Sequence, residues 1–209
     1  LEAEMLEYIK DPAMIERKSF EIIAEKLDGK LSHLGSIEQN IIKRVVHCSG
    51  NLDLWDKLNF SEDFFESFLS FLRYKTVYTD VNMVKSGINK KIIPELQVYC
   101  FIDEPEIAEL SKEQKISRAY LSMQKALRAN PGIFVIGNAP TALFKLLEST
   151  EKLFIIGVPV GFVGAAQSKE LLVGSVHSYV TLSGTFGGSN IAAAIMNALL
   201  KEAYNAAIR

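Results

Sequence analysis

The chain has 209 residues, with 23 lysines and arginines against 25 aspartates and glutamates, giving a formal charge of −2. Hydrophobic residues are 48% and charged residues 23%. That is enough apolar surface to exclude a disordered chain, and the lack of a basic excess argues against a nucleic-acid binder. Cys48 and Cys100, with three histidines, make neither a disulfide scaffold nor a Cys/His metal centre. No run approaches the ~18 apolar residues of a membrane span. The acidic Leu1–Glu4 segment has no apolar stretch after it. No signal peptide is therefore expected, and the reading is a cytoplasmic protein with reduced thiols.

The first third predicts helices. Asp11-Pro12 is a helix start, and Ile15, Ile22, Ile23 and Leu27 then recur at helical spacing up to Asp28-Gly29. A second helix starts at Ser36, where Ser36 and Gln39 form a capping-box pattern. Ile37, Ile41, Ile42, Val45, Val46 and Cys48 are its apolar stripe, and Gly50 ends it. A third starts at Ser61, with Glu62 and Asp63 in its first turn, then Phe64, Phe65, Phe68, Leu69 and Leu72. This Phe-rich stretch, together with Trp55, predicts a packed core or a subunit contact.

From residue 76 the period changes. Apolar runs at Thr76–Thr79, Gln97–Ile102, Ile133–Ile136, Leu153–Val158 and Tyr179–Leu182 alternate with helical patterns. The spacing leaves room for crossover helices, as parallel strands require. Ile133–Ile136 and Leu153–Ile156 are continuously apolar, as expected for strands covered on both faces. The helix stripe Ile116, Tyr120, Met123 and Leu127 leaves Arg118 outside it, and the apolar run Ile191–Met196 predicts a buried helix. The expectation is a single α/β domain over 1–209. It would be a three-layer α/β/α fold with a mainly parallel sheet of about five strands and a helical N-terminal region.

In open parallel sheets ligands sit beyond the carboxyl ends of the strands. Three such ends are unusual here: Gly137-Asn-Ala-Pro-Thr141, Gly157-Val-Pro-Val-Gly-Phe-Val-Gly164 and Gly184-Thr-Phe-Gly-Gly-Ser-Asn190. Each leads into a helix start, where unpaired amides and the helix dipole favour anions. None is a dinucleotide fingerprint or a P-loop, which argues against a nucleotide-dependent enzyme.

These blocks resemble the precorrin-8X methylmutases of cobalamin biosynthesis, a family that includes the cobalt-precorrin-8 enzymes. Further matching blocks are Ser19-Phe-Glu-Ile-Ile23, Arg44-Val-Val-His47, Thr79-Asp-Val-Asn-Met-Val84 with Gly87-Ile88, and Ser168-Lys-Glu170. The resemblance runs from about Ile15 to Leu200. It implies an isomerase that moves a methyl group from ring carbon 11 to ring carbon 12 of a tetrapyrrole, giving hydrogenobyrinic acid or its cobalt counterpart. That step is a sigmatropic shift within one molecule and needs no cofactor, methyl donor or protein-held metal. The resemblance also implies a homodimer with substrate near the subunit interface.

By motif position His47 is the catalytic residue. Helical spacing puts it opposite the Ile41–Val45–Cys48 stripe, off the core. A histidine can protonate or hydrogen-bond the macrocycle and favour the tautomer that rearranges. The resemblance further implies substrate contacts from Ser19, Asp80, Asn82, Arg118, Asn138, Gly187, Gly188 and Ser189. Ser19 aligns with Ile15 and Ile22, so its hydroxyl should face a packed or ligand-lined side. Asp80 and Asn82 follow the first strand, where helix capping competes with ligand contact. Arg118 suits a carboxylate.

Two departures stand out. Thr185 and Phe186 occupy loop positions where the family often has basic residues, and Asn51 stands where an acidic residue is common. A Cys48/His47 nucleophile pair is rejected, because helix neighbours point about 100° apart. His33 and His177 have no partner motif. The competing reading is a non-catalytic tetrapyrrole-binding or delivery protein on the same fold, and an intact His47 favours catalysis.

Overall fold

The computed structural model describes residues 8–208, so the acidic Leu1–Glu4 segment lies outside the described residues. The strands are β1 (Leu58–Phe60), β2 (Thr76–Thr79), β3 (Gln97–Tyr99), β4 (Ile133–Ile136), β5 (Phe154–Gly157) and β6 (Ser178–Leu182). They form one six-stranded sheet in the order β1-β6-β5-β4-β2-β3. β2 to β6 are the expected parallel strands, while β1 pairs antiparallel with β6 at one edge. β1 escaped the sequence reading because three residues are too few to display a period. Its pairing also moves the third helix. Ser61 is held to Tyr179 by two hydrogen bonds, of 3.0 and 2.9 Å, so helix α3 begins at Phe64 rather than Ser61.

The helices are α1 (Pro12–Lys26), α2 (Ser36–Ser49), α3 (Phe64–Leu72), α4 (Asn82–Gly87), α5 (Pro105–Gln114), α6 (Arg118–Ala126), α7 (Pro140–Leu147), α8 (Ala165–Val173) and α9 (Ser189–Ile208). α2, α3, α4 and α9 cover one face of the sheet, while α6, α7 and α8 cover the other, with α5 packed on α6. β4 and β5 are buried along their whole length, as their unbroken apolar runs require.

The Phe-rich helix is covered by its own chain. Phe68 is fully buried, with its ring 5.4 Å from that of Phe154 in β5. Burying one such side chain contributes about 1.5–3 kcal/mol. α9 lies across the same face, with Ile191, Ile195, Met196 and Leu199 fully buried.

Local signals were reliable where backbone conformation decided them. Asp11 caps α1 by accepting the Met14 amide, and Gly50 ends α2 in the left-handed region at φ 63°. The capping box at Ser36 does not form. Gly35 is the N-cap, and the Gln39 amide instead donates to the carbonyls of Leu31 and Leu34, closing the preceding turn. The α6 stripe is also rotated. Ala119, Leu121, Ser122, Met123 and Ala126 are its buried residues, because small side chains let α6 lie close to α7. On α1 only half of the expected stripe is used. Ile23 and the following Leu27 are buried against α2, while Met14, Ile15 and Ile22 stay exposed.

The sheet reverses direction between β2 and β4, since β3 lies outward on one side and β5 and β6 on the other. The carboxyl ends of β2 and β4 therefore flank the switch point, where ligands bind in such sheets.

Candidate active site

His47 is half-buried in the last turn of α2, facing α1. The Ser19 hydroxyl lies 2.8 Å from its Nδ1, and its ring stacks on Phe20 at 5.1 Å between centroids. Two adjacent residues of α1 thus fix both the plane and the rotation of the imidazole. When the neutral ring carries its hydrogen on Nε2, the Ser19 hydroxyl donates to Nδ1; when it carries it on Nδ1, Nδ1–H donates to Ser19 Oγ. When the ring is protonated, Nδ1–H likewise donates to Ser19 Oγ. In the Nε2–H tautomer and in the protonated ring Nε2 presents a hydrogen, and Nε2 has no protein partner among the described residues. The Arg44 guanidinium lies over the Phe20 ring at 4.7 Å from its centroid, and Arg44 is paired with Glu16 at 2.8 Å. That bond holds the Glu16 carboxyl below its ordinary range.

His47 borders two hollows. The larger, about 480 Å³, opens between α2, α4 and α9, and its lining includes Arg44, Asn89, Asn190, Asn197 and Lys201. The smaller, about 180 Å³, is lined by Ser19, Ile22, Ile23, Lys26 and Val46 on the α1 side. Asn197 closes the floor of the larger cleft, accepting from the Asn89 amide at 2.8 Å and donating to the Gly87 carbonyl at 2.9 Å. The sequence reading missed Phe20, Asn190, Asn197 and Lys201. Phe20 lay in plain view inside the Ser19–Ile23 block, but the others needed α9 to be placed beside α2.

At the switch point the structure gives Asp80 a capping role. It is 0% exposed, and its carboxylate accepts the amides of Gly137, Asn138 and Ala139 at 3.0, 2.8 and 2.7 Å. Burial pushes its carboxyl up, and the three amides pull the other way. The anion seat at the start of α7 is therefore filled by the chain's own carboxylate. The Asn138 side chain stays exposed beside it.

The other two strand-end loops are zipped together. Gly161 N–H donates to the Thr185 carbonyl at 3.1 Å, and Gly188 N–H to that of Val158 at 3.0 Å. A Cβ at Gly187 would collide with the Val158 and Pro159 carbonyls, so only glycine lets these backbones approach. Gly188 and Ser189 are buried, and Gly187 half-buried. The Thr185 carbonyl belongs to this zipper. The Phe186 carbonyl accepts from Lys169 Nζ at 2.6 Å.

Asn82 and Arg118 come together through Asp103. The Asn82 amide donates to Asp103 Oδ2 at 2.5 Å, and Arg118 pairs with Oδ1 at 3.6 Å. Both are exposed at the carboxyl edge of β2 and β3, and neither lines the cleft beside His47. Cys48 borders the same cleft as His47 but has no hydrogen bond to it among the described residues. Its thiol donates to the Val45 carbonyl at 3.4 Å, and burial pushes its pKa up, the reverse of an activated nucleophile. His177 is buried and accepts the Leu153 amide at 3.3 Å, while His33 is exposed in a turn. Among the described residues no group of three or more His, Cys, Asp and Glu could hold a metal ion, and no helix is long and apolar enough to cross a membrane.

Comparison with known proteins agrees with the motif blocks. Residues 14–202 match the family model described as precorrin-8X methylmutase. The cobalt-precorrin-8 methylmutase of Salmonella typhimurium is 40% identical over 204 residues, covering 93% of this chain and 97% of its relative. That of Methanothermobacter thermautotrophicus is also 40% identical, over 89% of this chain and 91% of its own. A solved structure described as a precorrin-8X methylmutase related protein superposes with a TM-score of 0.80 at 29% identity, over 88% of this chain and 99% of its own. The histidine between α1 and α2 and the zipped glycine loops thus sit in a chain matched almost end to end, and the chain belongs to the precorrin-8X methylmutase family.

Proposed function

We propose that this methylmutase moves the methyl group from ring carbon 11 to ring carbon 12 of precorrin-8X or its cobalt counterpart, with His47 handling the proton. The observation that carries the reading is the Ser19–His47–Phe20 arrangement beside an open cleft of about 480 Å³. The shift breaks one carbon–carbon bond and forms another within the same molecule. The protein's task is then to select the reactive tautomer. Nε2–H donates a hydrogen bond or a proton to the macrocycle and takes the proton back once the methyl has moved. Ser19 serves both states, accepting from Nδ1–H in the protonated ring and after Nε2 has given its proton away, and Phe20 keeps the ring plane fixed. Arg44 and Lys201 at the cleft, and Arg118 with Asn82 at the sheet edge, are cationic or polar groups suited to the peripheral carboxylates. Asn138, Gly187, Gly188 and Ser189 frame the same edge, and the buried Asp80 shapes it without touching substrate.

The working unit in this reading is a homodimer in the cytoplasm. The aromatic helix no longer argues for it, since α3 is covered internally. The argument passes to Met14, Ile15 and Ile22 on α1 and to Phe162 and Val163, which are 94% and 89% exposed. These apolar groups need a cover, from a second copy or from the macrocycle. Sedimentation at micromolar concentration should give a dimer; a monomer under those conditions rejects that part.

The absorption spectrum tests the activity directly. Incubation with precorrin-8X, and separately with its cobalt form, should convert at least one of them to a corrin-type chromophore. Binding of both with conversion of neither would make the chain a tetrapyrrole-binding protein instead.

A further inference from the structure

Beneath the loop that follows β6 lies a buried lysine. Lys169, on α8, is 1% exposed, and it has no ion-pair partner among the described residues. Its ammonium makes one hydrogen bond, to the Phe186 carbonyl at 2.6 Å. Burial pulls its pKa down to about 8. A cation taken out of water without a counter-charge costs several kcal/mol even after relaxation. For stability alone, a methionine of similar length would serve better at this position.

The lysine is placed where one bond can govern a loop. Gly161 N–H to Thr185 and Gly188 N–H to Val158 tie the last two strand-end loops through their backbones. Lys169 supplies the side-chain tie, at the residue between those two points. Immediately after it come Gly187, Gly188 and Ser189, then Asn190, which lines the cleft beside His47. The Cys48 thiol lies 4.0 Å from the Asn190 carbonyl, so the start of α9 touches the helix that carries His47.

We propose that Lys169 is a positioning residue for substrate binding: its ammonium fixes the Phe186 carbonyl and so holds Gly187–Asn190 in place against the cleft. The proposal rests on the reading above that the macrocycle lies along this edge. The lysine does not touch substrate and takes no part in the methyl shift. Its loss should therefore raise KM and weaken product binding while leaving the bound-state rate largely intact.

Lys169→Met tests this by three measurements. Its melting temperature should equal or exceed that of the wild type, because a desolvated cation is replaced by an apolar chain. Hydrogen exchange should quicken at residues 184–190 and stay unchanged in the sheet, since only the loop loses a tie. Affinity for hydrogenobyrinic acid should fall by about tenfold, because binding must then also order the untied Gly187–Asn190 segment, with the single-turnover rate at saturating substrate within about threefold of wild type. Unchanged affinity, or unchanged exchange at 184–190, overturns the proposal. So does a loss of affinity that merely tracks a fall in melting temperature, which would make Lys169 a residue of the fold alone. If the methionine variant does not fold, Lys169→Gln is judged by the same readouts. Wild-type protein that fails to bind hydrogenobyrinic acid would overturn the functional reading instead, and the exchange experiment needs no ligand.

Discussion

The α1–α2 pair and the carboxyl edge of the sheet are both assigned to substrate, yet they are built in opposite ways. α1 is anchored by Ile23, by Leu27 just beyond it and by the contacts of Ser19 and Phe20 with His47, and Met14, Ile15 and Ile22 remain exposed. At the sheet edge, Asp80 engages three amides, Gly187 lies against two carbonyls, and Lys169 sits under the last loop. The proton-handling group thus sits on the well-packed α2 but faces the lightly packed α1, while the frame around the sheet edge is stiff. The His47 side chain, half-buried and off the apolar stripe of α2, can be changed at small cost to folding, whereas loss of a backbone-bonding group such as Asp80 should lower stability before it reveals chemistry.

The strongest test of that contrast is His47→Ala. It should fold, with a melting temperature lowered only slightly by the lost Ser19 and Phe20 contacts, and still bind product, but lose about 10²–10⁴ in single-turnover rate. His47→Asn keeps a hydrogen bond but delivers no proton, so comparing the two separates positioning from acid catalysis. Ser19→Ala should give a smaller loss of about five- to tenfold, the worth of one orienting hydrogen bond. Rates within a few-fold of wild type in both His47 variants, with binding intact, would remove His47 from the mechanism.

Asp80→Ala is the mirror experiment. Three amides, one buried and two partly buried, would lose their acceptor, so stability should fall by about 2–3 kcal/mol, read as a lowered urea midpoint. Asp80→Asn, which keeps one acceptor oxygen, should lose less. An alanine variant as stable as wild type but unable to bind product would return Asp80 to the substrate contacts.

Arg118→Ala lies between the two regions. It is exposed, and its partner Asp103 also accepts from Asn82. Affinity for product should drop by about tenfold, with the bound-state rate unchanged, because a contact far from the migrating methyl acts equally before and at the transition state. Unchanged product affinity would leave Arg118 as a solvated charge.

The smallest effect is a pH dependence of stability from Lys169. Its pKa is about 8 in the folded chain, against about 10.4 for an unperturbed lysine. Between those values the unfolded chain holds more protons, so this residue makes stability rise with pH from about 8 to about 10.4 and adds no slope below that window. The difference in melting temperature between wild type and Lys169→Met should move in the wild type's favour as pH rises through that window. A difference that stays flat would mean the ammonium is not desolvated.

Much of the fold was open to reading in the sequence. β2 and β4 match the expected bounds residue for residue: β-branched and aromatic residues between turn signals mark β2, and a continuous apolar run reporting burial on both faces marks β4. Helix ends at Asp11 and Gly50 were equally plain, because they depend on local backbone conformation. The errors fell where distant partners decide. β1 exists only because β6 is beside it, Gln39 bonds a neighbouring turn rather than its own helix, and the buried face of α6 is set by α7.

The same division holds at the site. Motif blocks carried by single segments were enough to identify the family and to single out His47 and Ser19. Helical periodicity also put His47 off the core. Three-dimensional packing alone decided that Ser19 and Phe20 grip the imidazole, that Asn190 and Asn197 line its cleft, and that Asp80 closes the switch point from inside. It alone put a cation under Phe186, in a loop whose own side chains carry none. The physical reason is range: backbone preference and amphipathic period act within a few residues, whereas hydrogen bonds such as Ser19–His47 and Asp80–Asn138 join positions 28 and 58 residues apart.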